Sequence, residues 1–126
     1  MKVNSQYMHT IRFNIVLQGD VTTEQVLSRL RENAFVTLTH KKTANKVFSF
    51  GRDHGYYGRI FNQTVVSIPS VATTQLAGKT QVTGFCFTPQ DGNSLLSSIA
   101  ATLHHLYGAK YTQYMKHFDK YLFDMV

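Results

Sequence analysis

The segment formed by residues 51–59 (GRDHGYYGR) concentrates the side chains of this sequence that could bind a ligand or act on it. It holds three glycines, two arginines, two tyrosines and one histidine, and so many glycines predict a loop. Arginine binds phosphate or carboxylate through paired hydrogen bonds, and tyrosine stacks on flat rings. The candidate ligand-binding residues are therefore Arg52, Tyr56, Tyr57 and Arg59. His54 is a candidate catalytic acid or base, because histidine exchanges protons near neutral pH. An ordinary glycine-rich turn is the alternative interpretation.

Positive charge surrounds this segment. Between residues 33 and 90 the chain has six basic residues and one acidic residue, so five of the six net positive charges of the chain lie there. The basic residues are Lys41, Lys42, Lys46, Arg52, Arg59 and Lys79. Such a field attracts an anion, whether a phosphorylated metabolite, a nucleic acid or an acidic partner. Lys41 and Lys42 join the candidate anion-binding residues, and a solvated basic face is the alternative.

Two further positions are weighed as sites. Residues 88–94 lead into a predicted helix, and Asn93 and Ser94 could present an anion-binding helix start. The alternative there is simple capping of the helix, and Asp91 opposes a bound anion. His9 is a candidate catalytic residue at the start of a strand. The alternative is a histidine that is only packed and hydrogen-bonded.

Several kinds of chemistry are excluded or disfavoured. A single cysteine, Cys86, cannot form an internal disulfide or a cysteine-rich zinc site, and its apolar neighbours predict a buried structural thiol. His104 and His105 are adjacent on a predicted helix, so they diverge by about 100° and do not converge on one metal. The few carboxylates are scattered, which disfavours a paired-carboxylate hydrolase. We expect no metal site and no cofactor within this chain.

The elements that must position these residues follow from periodicity. Residues 9–17 alternate apolar and polar side chains, which predicts a half-buried strand. Thr22 and Gln25 have the spacing of a capping box, which predicts a helix before a second strand at 35–39 and parallel pairing of the two strands. The further predicted strands are residues 47–50, 64–68, 71–76 and 80–88. The further predicted helices are residues 95–107 and 112–123, and the last one is expected at the periphery of the fold.

These elements indicate one α+β domain over residues 1–126. It contains a mixed, largely antiparallel sheet of about five strands, with about three helices packed on it. The chain is 43% hydrophobic and 16% charged, which is typical of a folded domain. It has no apolar run long enough to span a bilayer, and residues 1–10 lack the apolar core of a signal peptide. We therefore expect a cytoplasmic protein that does not contact membranes.

Three stretches resemble the C-terminal catalytic domain of glyceraldehyde-3-phosphate dehydrogenases, the archaeal type more than the bacterial. They are residues 8–14 (MHTIRFN), 21–24 (VTTE) and 50–59 (FGRDHGYYGR), the last leading into Val65 and Val66. The likeness covers about residues 8–107. It implies a mixed sheet with helices on one face, in a domain that binds the phosphorylated substrate and builds much of an oligomer interface.

The resemblance also implies roles for individual residues. His9 would correspond to the catalytic histidine of that family, and Arg52 and Arg59 lie in the segment resembling its substrate-phosphate region. The nucleotide-binding domain of the family is absent from these residues, and nothing matches its nucleophilic cysteine. The resemblance therefore implies a domain that does not transfer hydride by itself, although its parent would be an NAD(P)-dependent oxidoreductase.

Three hypotheses follow. The first is a dehydrogenase-type C-terminal domain that binds a phosphorylated small molecule and forms a homo-oligomer. The second is a small basic nucleic-acid-binding domain, which rests on the charge and on the tyrosine pair flanked by arginines. The third is an oligomerisation module without a ligand, whose aromatic last helix offers an apolar face to a partner.

Overall fold

The computed structural model describes residues 8–55, 63–89 and 95–126. Its strands are β1 (Met8–Gln18), β2 (Val36–Thr39), β3 (Thr64–Ser67), β4 (Ala72–Leu76) and β5 (Lys79–Pro89). Its α-helices are α1 (Thr23–Arg31), α2 (Ala44–Asp53), α3 (Leu95–Tyr107) and the short α4 (Tyr111–Met115). The prediction of an α+β fold with a mixed, largely antiparallel five-stranded sheet is confirmed. In the described ranges no helix is long and apolar enough to cross a membrane.

The sheet is organised around β5. The strand order is β1-β5-β3-β2, and β1 is antiparallel to β5 along its whole length, from Met8 opposite Pro89 to Gln18 opposite Lys79. The other edge of β5 is shared by β3 and β4, which a single 3-10 turn, Ile68–Ser70, separates. The two longest strands, β1 and β5, thus form the longest ladder of the sheet. β2 pairs in parallel with β3.

The predicted pairing of the first two strands is wrong. β1 and β2 run in the same direction, as the helical connection requires, but β5 and β3 lie between them. The eleven-residue ladder with β5 fills the inner edge of β1, and the four-residue β2 pairs with β3 instead. Local periodicity does not indicate which strands become neighbours in the sheet.

The predicted strand at residues 47–50 is also wrong, and so is the start of the predicted loop 51–59, because residues 47–53 lie in α2. Residues 56–59 of that loop lie outside the described residues. The Thr43 hydroxyl accepts a hydrogen bond from the Lys46 N–H (3.4 Å) and caps the helix. Ala44, Val47 and Gly51 are buried along one face of it, at helical spacing. The helix ends where Gly55 takes a left-handed φ of 79°, a conformation that glycine adopts without steric cost.

The capping box predicted at the start of α1 is confirmed. The Gln25 N–H donates to the Thr22 hydroxyl (3.2 Å), and the Thr22 N–H donates to the Gln25 side-chain oxygen (2.9 Å). These reciprocal bonds satisfy two backbone donors that the first turn leaves without helical partners.

Helices pack on both faces of the sheet, whereas the family resemblance implies one face. Val65 and Val66 are adjacent in β3 and belong to two different apolar clusters. Val65 packs with Met8, Phe87 and Val47 of α2, on what we call the α2 face. Val66 packs with Cys86 and with Val26, Leu27 and Leu30 of α1, on the α1 face.

The last predicted helix is broken, and the end of the chain joins the core. A six-residue 3-10 helix, Lys116–Tyr121, follows α4. The Val126 N–H then donates to the Leu38 carbonyl (2.9 Å), and Met125 forms a parallel bridge with Leu38. Val126 is only 5% exposed. Residues 123–126 therefore cover the outer edge of β2.

Candidate functional site

A basic segment, residues 41–53, runs from the end of β2 through α2. Its cations are Lys41, Lys42, Lys46 and Arg52, and its one acidic residue is Asp53. The remaining cation of the described central region, Lys79, starts β5. Eight residues of strand separate Lys79 from Phe87, which packs with α2, a span of about 27 Å. The structure therefore concentrates most of the central charge at one end of the sheet and leaves Lys79 far away.

Lys41 is the most constrained cation of the basic segment. Its N–H donates to the Thr39 hydroxyl (3.1 Å), and its carbonyl accepts from the Ser67 hydroxyl (2.9 Å). Thr39 in turn donates to the Val126 carbonyl (2.6 Å). The side chain is half-buried, and its ammonium lies 4.8 Å from the centre of the Phe50 ring, within cation–π range. The positive charge is thus held in a defined place while water still reaches it.

His54 lies on the same aromatic ring. Its ring centre is 4.1 Å from that of Phe50, and Nδ1 is 2.8 Å from the Phe50 carbonyl oxygen. Because a carbonyl oxygen only accepts, Nδ1 carries the proton in this bond, and Nε2 is the nitrogen that can meet a ligand. Phe123 contacts Phe50 edge-on at 5.7 Å and holds the ring from the side. We call Lys41, Phe50, His54 and Phe123 the Phe50 cluster.

Arg52 is occupied locally. Its guanidinium donates to the Asp53 carboxylate at 3.1 and 3.2 Å, and both side chains are largely exposed. This is the arrangement that the alternative interpretation of the segment anticipated. An exposed pair of this kind contributes only about 0–1 kcal/mol, so an incoming anion can compete for the guanidinium.

Five of the candidate site residues lie outside the described residues. They are Tyr56, Tyr57, Arg59, Asn93 and Ser94. The predictions for them stay predictions. Lys42, by contrast, is described and exposed, and it lies next to Lys41 at the start of the basic segment.

The two candidate catalytic histidines are not brought together. His9 is exposed in β1, opposite Thr88, and its neighbour Met8 belongs to the α2 face. Side chains alternate along a strand, so His9 projects from the α1 face. His54 stacks on Phe50, which packs against the α2-face cluster. The two imidazoles therefore lie on opposite faces of the sheet and cannot act on one bound molecule.

Cys86 and the helical histidines are placed as predicted. Cys86 is buried at 8% exposure on the α1 face, and burial raises the pKa of its thiol, which disfavours the reactive thiolate. His104 and His105 are exposed on α3, and His104 contacts the Tyr111 ring edge-on at 5.3 Å. Throughout the described residues, no three side chains of His, Cys, Asp or Glu gather in a way that could hold a metal ion.

Sequence reasoning missed a cleft of about 640 Å³ between the end of α1 and residues 119–125. Gln63, which is 3% exposed, forms one wall of it. Its amide nitrogen donates to the carbonyls of Ala34 (3.1 Å) and Phe123 (3.2 Å), and its oxygen accepts from the Phe123 N–H (2.8 Å). The charged residues of the cleft are Arg31, Glu32, Asp119 and Asp124. Three of these four side chains are acidic, so the cleft does not continue the basic segment.

Comparison of the chain with protein-family models, with curated proteins and with solved structures gave no match.

Proposed function

We propose that this chain binds a phosphorylated small molecule at its basic segment, as the substrate-side domain of a dehydrogenase-like protein that does not complete a reaction by itself. The observation that supports the proposal best is the Phe50 cluster. In this cluster the Lys41 ammonium and the His54 imidazole both contact the Phe50 ring. The surrounding segment has four cations and one carboxylate.

The physical argument concerns preorganisation. A phosphate needs several donors around it, and a donor already held in place loses less conformational entropy on binding than a free lysine does. Hydrogen bonds fix the backbone of Lys41 on both sides, and the Phe50 ring restricts its side chain. Lys42 and Arg52 lie close in sequence and add positive charge, which favours an anion without fixing its position.

A calorimetric titration with inorganic phosphate and with a triose phosphate tests the proposal. We expect Lys41→Ala to weaken binding about tenfold, because one charge-assisted contact is lost. Lys79→Ala is the matched control, since it removes the same charge at the other end of β5. Equal affinities of the wild type and Lys41→Ala would rule out the site, and equal weakening by both variants would reduce it to a general effect of net charge.

A nucleic acid is the second candidate ligand, favoured by four cations within residues 41–52. Contact of all four with a single strand predicts a logarithmic salt dependence of the affinity with a slope of about −3. Fluorescence anisotropy with a labelled oligonucleotide measures that slope. A phosphorylated metabolite that displaces the oligonucleotide would assign both to the same basic segment. Absence of oligonucleotide binding at low salt would remove this candidate.

A further inference from the structure

The outer edge of β1 has no partner strand in the described part of the chain. β1 stands at one end of the strand order, and its described pairing is with β5 alone. The other end of the sheet differs, because residues 123–126 cover the outer edge of β2. An uncovered edge is a row of backbone donors and acceptors that can pair with another strand.

The hydrogen-bond phase of β1 shows which residues face outward. The Gly19 N–H donates to the Gly78 carbonyl (2.9 Å), at the next position of the β1–β5 register. Phe85 lies opposite Arg12 in this register. Its N–H and carbonyl point away from β1, since both bond to the Ser70 hydroxyl. Antiparallel pairs alternate, so the odd-numbered residues of β1 bond to β5. The outward N–H and carbonyl groups therefore belong to Thr10, Arg12, Asn14 and Val16.

This edge has few of the features that usually prevent strand addition. Protected edges are short, bulged, or carry lysine or proline. β1 has eleven residues in an uninterrupted register, and Arg12 is its one arginine or lysine. Ile11, Ile15 and Val16 are 45%, 50% and 58% exposed. Long, regular and with three exposed aliphatic side chains, the strand is suited to a partner strand rather than to solvent.

We propose that the outer edge of β1 pairs with the same edge of a second copy of this chain, antiparallel and about a two-fold axis at Phe13. This register places Ile11 opposite Ile15 of the second copy and Thr10 opposite Val16. It also places Arg12 opposite Asn14 rather than opposite another arginine. The strand is thus complementary to itself, and a two-fold pair closes without exposing a new edge for further addition.

The proposed pairing satisfies the outward groups. Four pairs of facing residues, 10 with 16, 12 with 14 and their symmetry mates, exchange two hydrogen bonds each. About eight backbone hydrogen bonds are typical of a specific interface, in which about ten is usual. Apolar cross-strand pairs on the α1 face add to them, since Ile11 and Ile15 both project there.

Amide hydrogen exchange at increasing protein concentration tests which amides of β1 face outward and whether a second copy of the chain pairs with them. We expect the amides of Thr10, Arg12, Asn14 and Val16 to gain protection as dimer forms. The amides of Ile11, Phe13 and Ile15 bond to β5 and should be protected at every concentration. A chain that sediments as a monomer from low micromolar to sub-millimolar concentration would overturn the proposal, and so would protection that is independent of concentration.

Variants separate the edge from a general apolar effect. Ile15→Lys should weaken dimerisation about thirtyfold, because the two-fold axis makes one substitution act at two places. Leu76→Lys in β4 is the matched control, at 51% exposure against 50%, and should leave the dimer within about twofold of wild type. Asn14→Pro removes an outward donor while keeping the backbone bonds of β1 to β5, although the side-chain bond from Gln81 to Asn14 is lost (3.0 Å). A dimer that survives both Ile15→Lys and Asn14→Pro would refute the assignment.

Discussion

Phe13 lies close to Gly84, so Gly84→Ala should destabilise the wild type but stabilise a variant in which Phe13 is replaced by alanine. The two residues face each other across β1 and β5. A Cβ atom at position 84 would lie 2.5 Å from Cζ of Phe13 and 3.0 and 3.2 Å from its Cε atoms. The Phe13 ring therefore packs directly against Gly84, and Gly84→Ala forces that ring to move.

The expected magnitude combines two opposing terms. Displacing a packed ring costs about 1–3 kcal/mol, and the lower part of this range applies because Phe13 is only half-buried and can turn toward the open edge. Alanine also restricts the unfolded chain, which stabilises the fold by about 0.4–1 kcal/mol where φ is negative, as it is here. We expect Gly84→Ala to lower the free energy of unfolding by about 0.5–1.5 kcal/mol.

The assay is a double-mutant cycle by urea denaturation at low micromolar protein. In a Phe13→Ala background the obstruction is gone, so Gly84→Ala should stabilise the protein by about 0.4–1 kcal/mol. In an Ile15→Ala background, which shortens a neighbour on the same face of β1, Gly84→Ala should still destabilise. If Gly84→Ala costs the same whether or not Phe13 is present, the ring is not what glycine accommodates, and the reasoning fails.

Three further perturbations have defined outcomes. Gln63→Leu removes both hydrogen bonds between the Gln63 amide and the Phe123 backbone, so we expect a loss of about 1–3 kcal/mol in urea unfolding and faster exchange of the Phe123 amide. Burial raises the pKa of Cys86, so its stabilising contribution is complete below the ordinary thiol pKa of 9.0 and is lost as the pH rises through the folded-state pKa. Cys86→Ala should therefore show a shallower alkaline decline of the unfolding free energy than the wild type. Thr22→Ala removes the capping box of α1 and should cost about 1 kcal/mol in thermal unfolding, and Thr22→Ser should recover most of it.

Sequence periodicity predicted the elements that carry their own signal. The alternation of residues 9–17 predicted β1, and the Thr22–Gln25 spacing predicted the start of α1. The helix α2 was missed because its buried face uses Ala44 and Gly51, small residues that do not stand out as hydrophobic. The alternating Phe48-Ser49-Phe50 then looked like a strand. Sheet order was also beyond local signals, since it depends on how distant strands compete for one edge.

The error in α2 also concealed the candidate site. In an extended chain Phe50 and His54 are about 13 Å apart, so no contact between them is expected. In a helix, residues four apart lie on one face, so the same two residues predict a stacked pair. The sequence contains that spacing, but the three glycines at positions 51, 55 and 58 favoured a loop. Lys41 could not be added from sequence, because the end of β2 brings it to the ring across the tertiary fold.

The two proposed surfaces use different parts of the sheet, one an edge and the other a face. Lys41 follows β2, at the end of the sheet opposite to β1. α2 packs on the face of the sheet that includes Met8 of β1, whereas the outward backbone groups of β1 point along the plane of the sheet. A second copy added beyond β1 would therefore pair with an edge of the sheet and not with the face that carries the Phe50 cluster. A monomeric chain that still binds phosphate, or a dimer that does not, would each decide one proposal without touching the other.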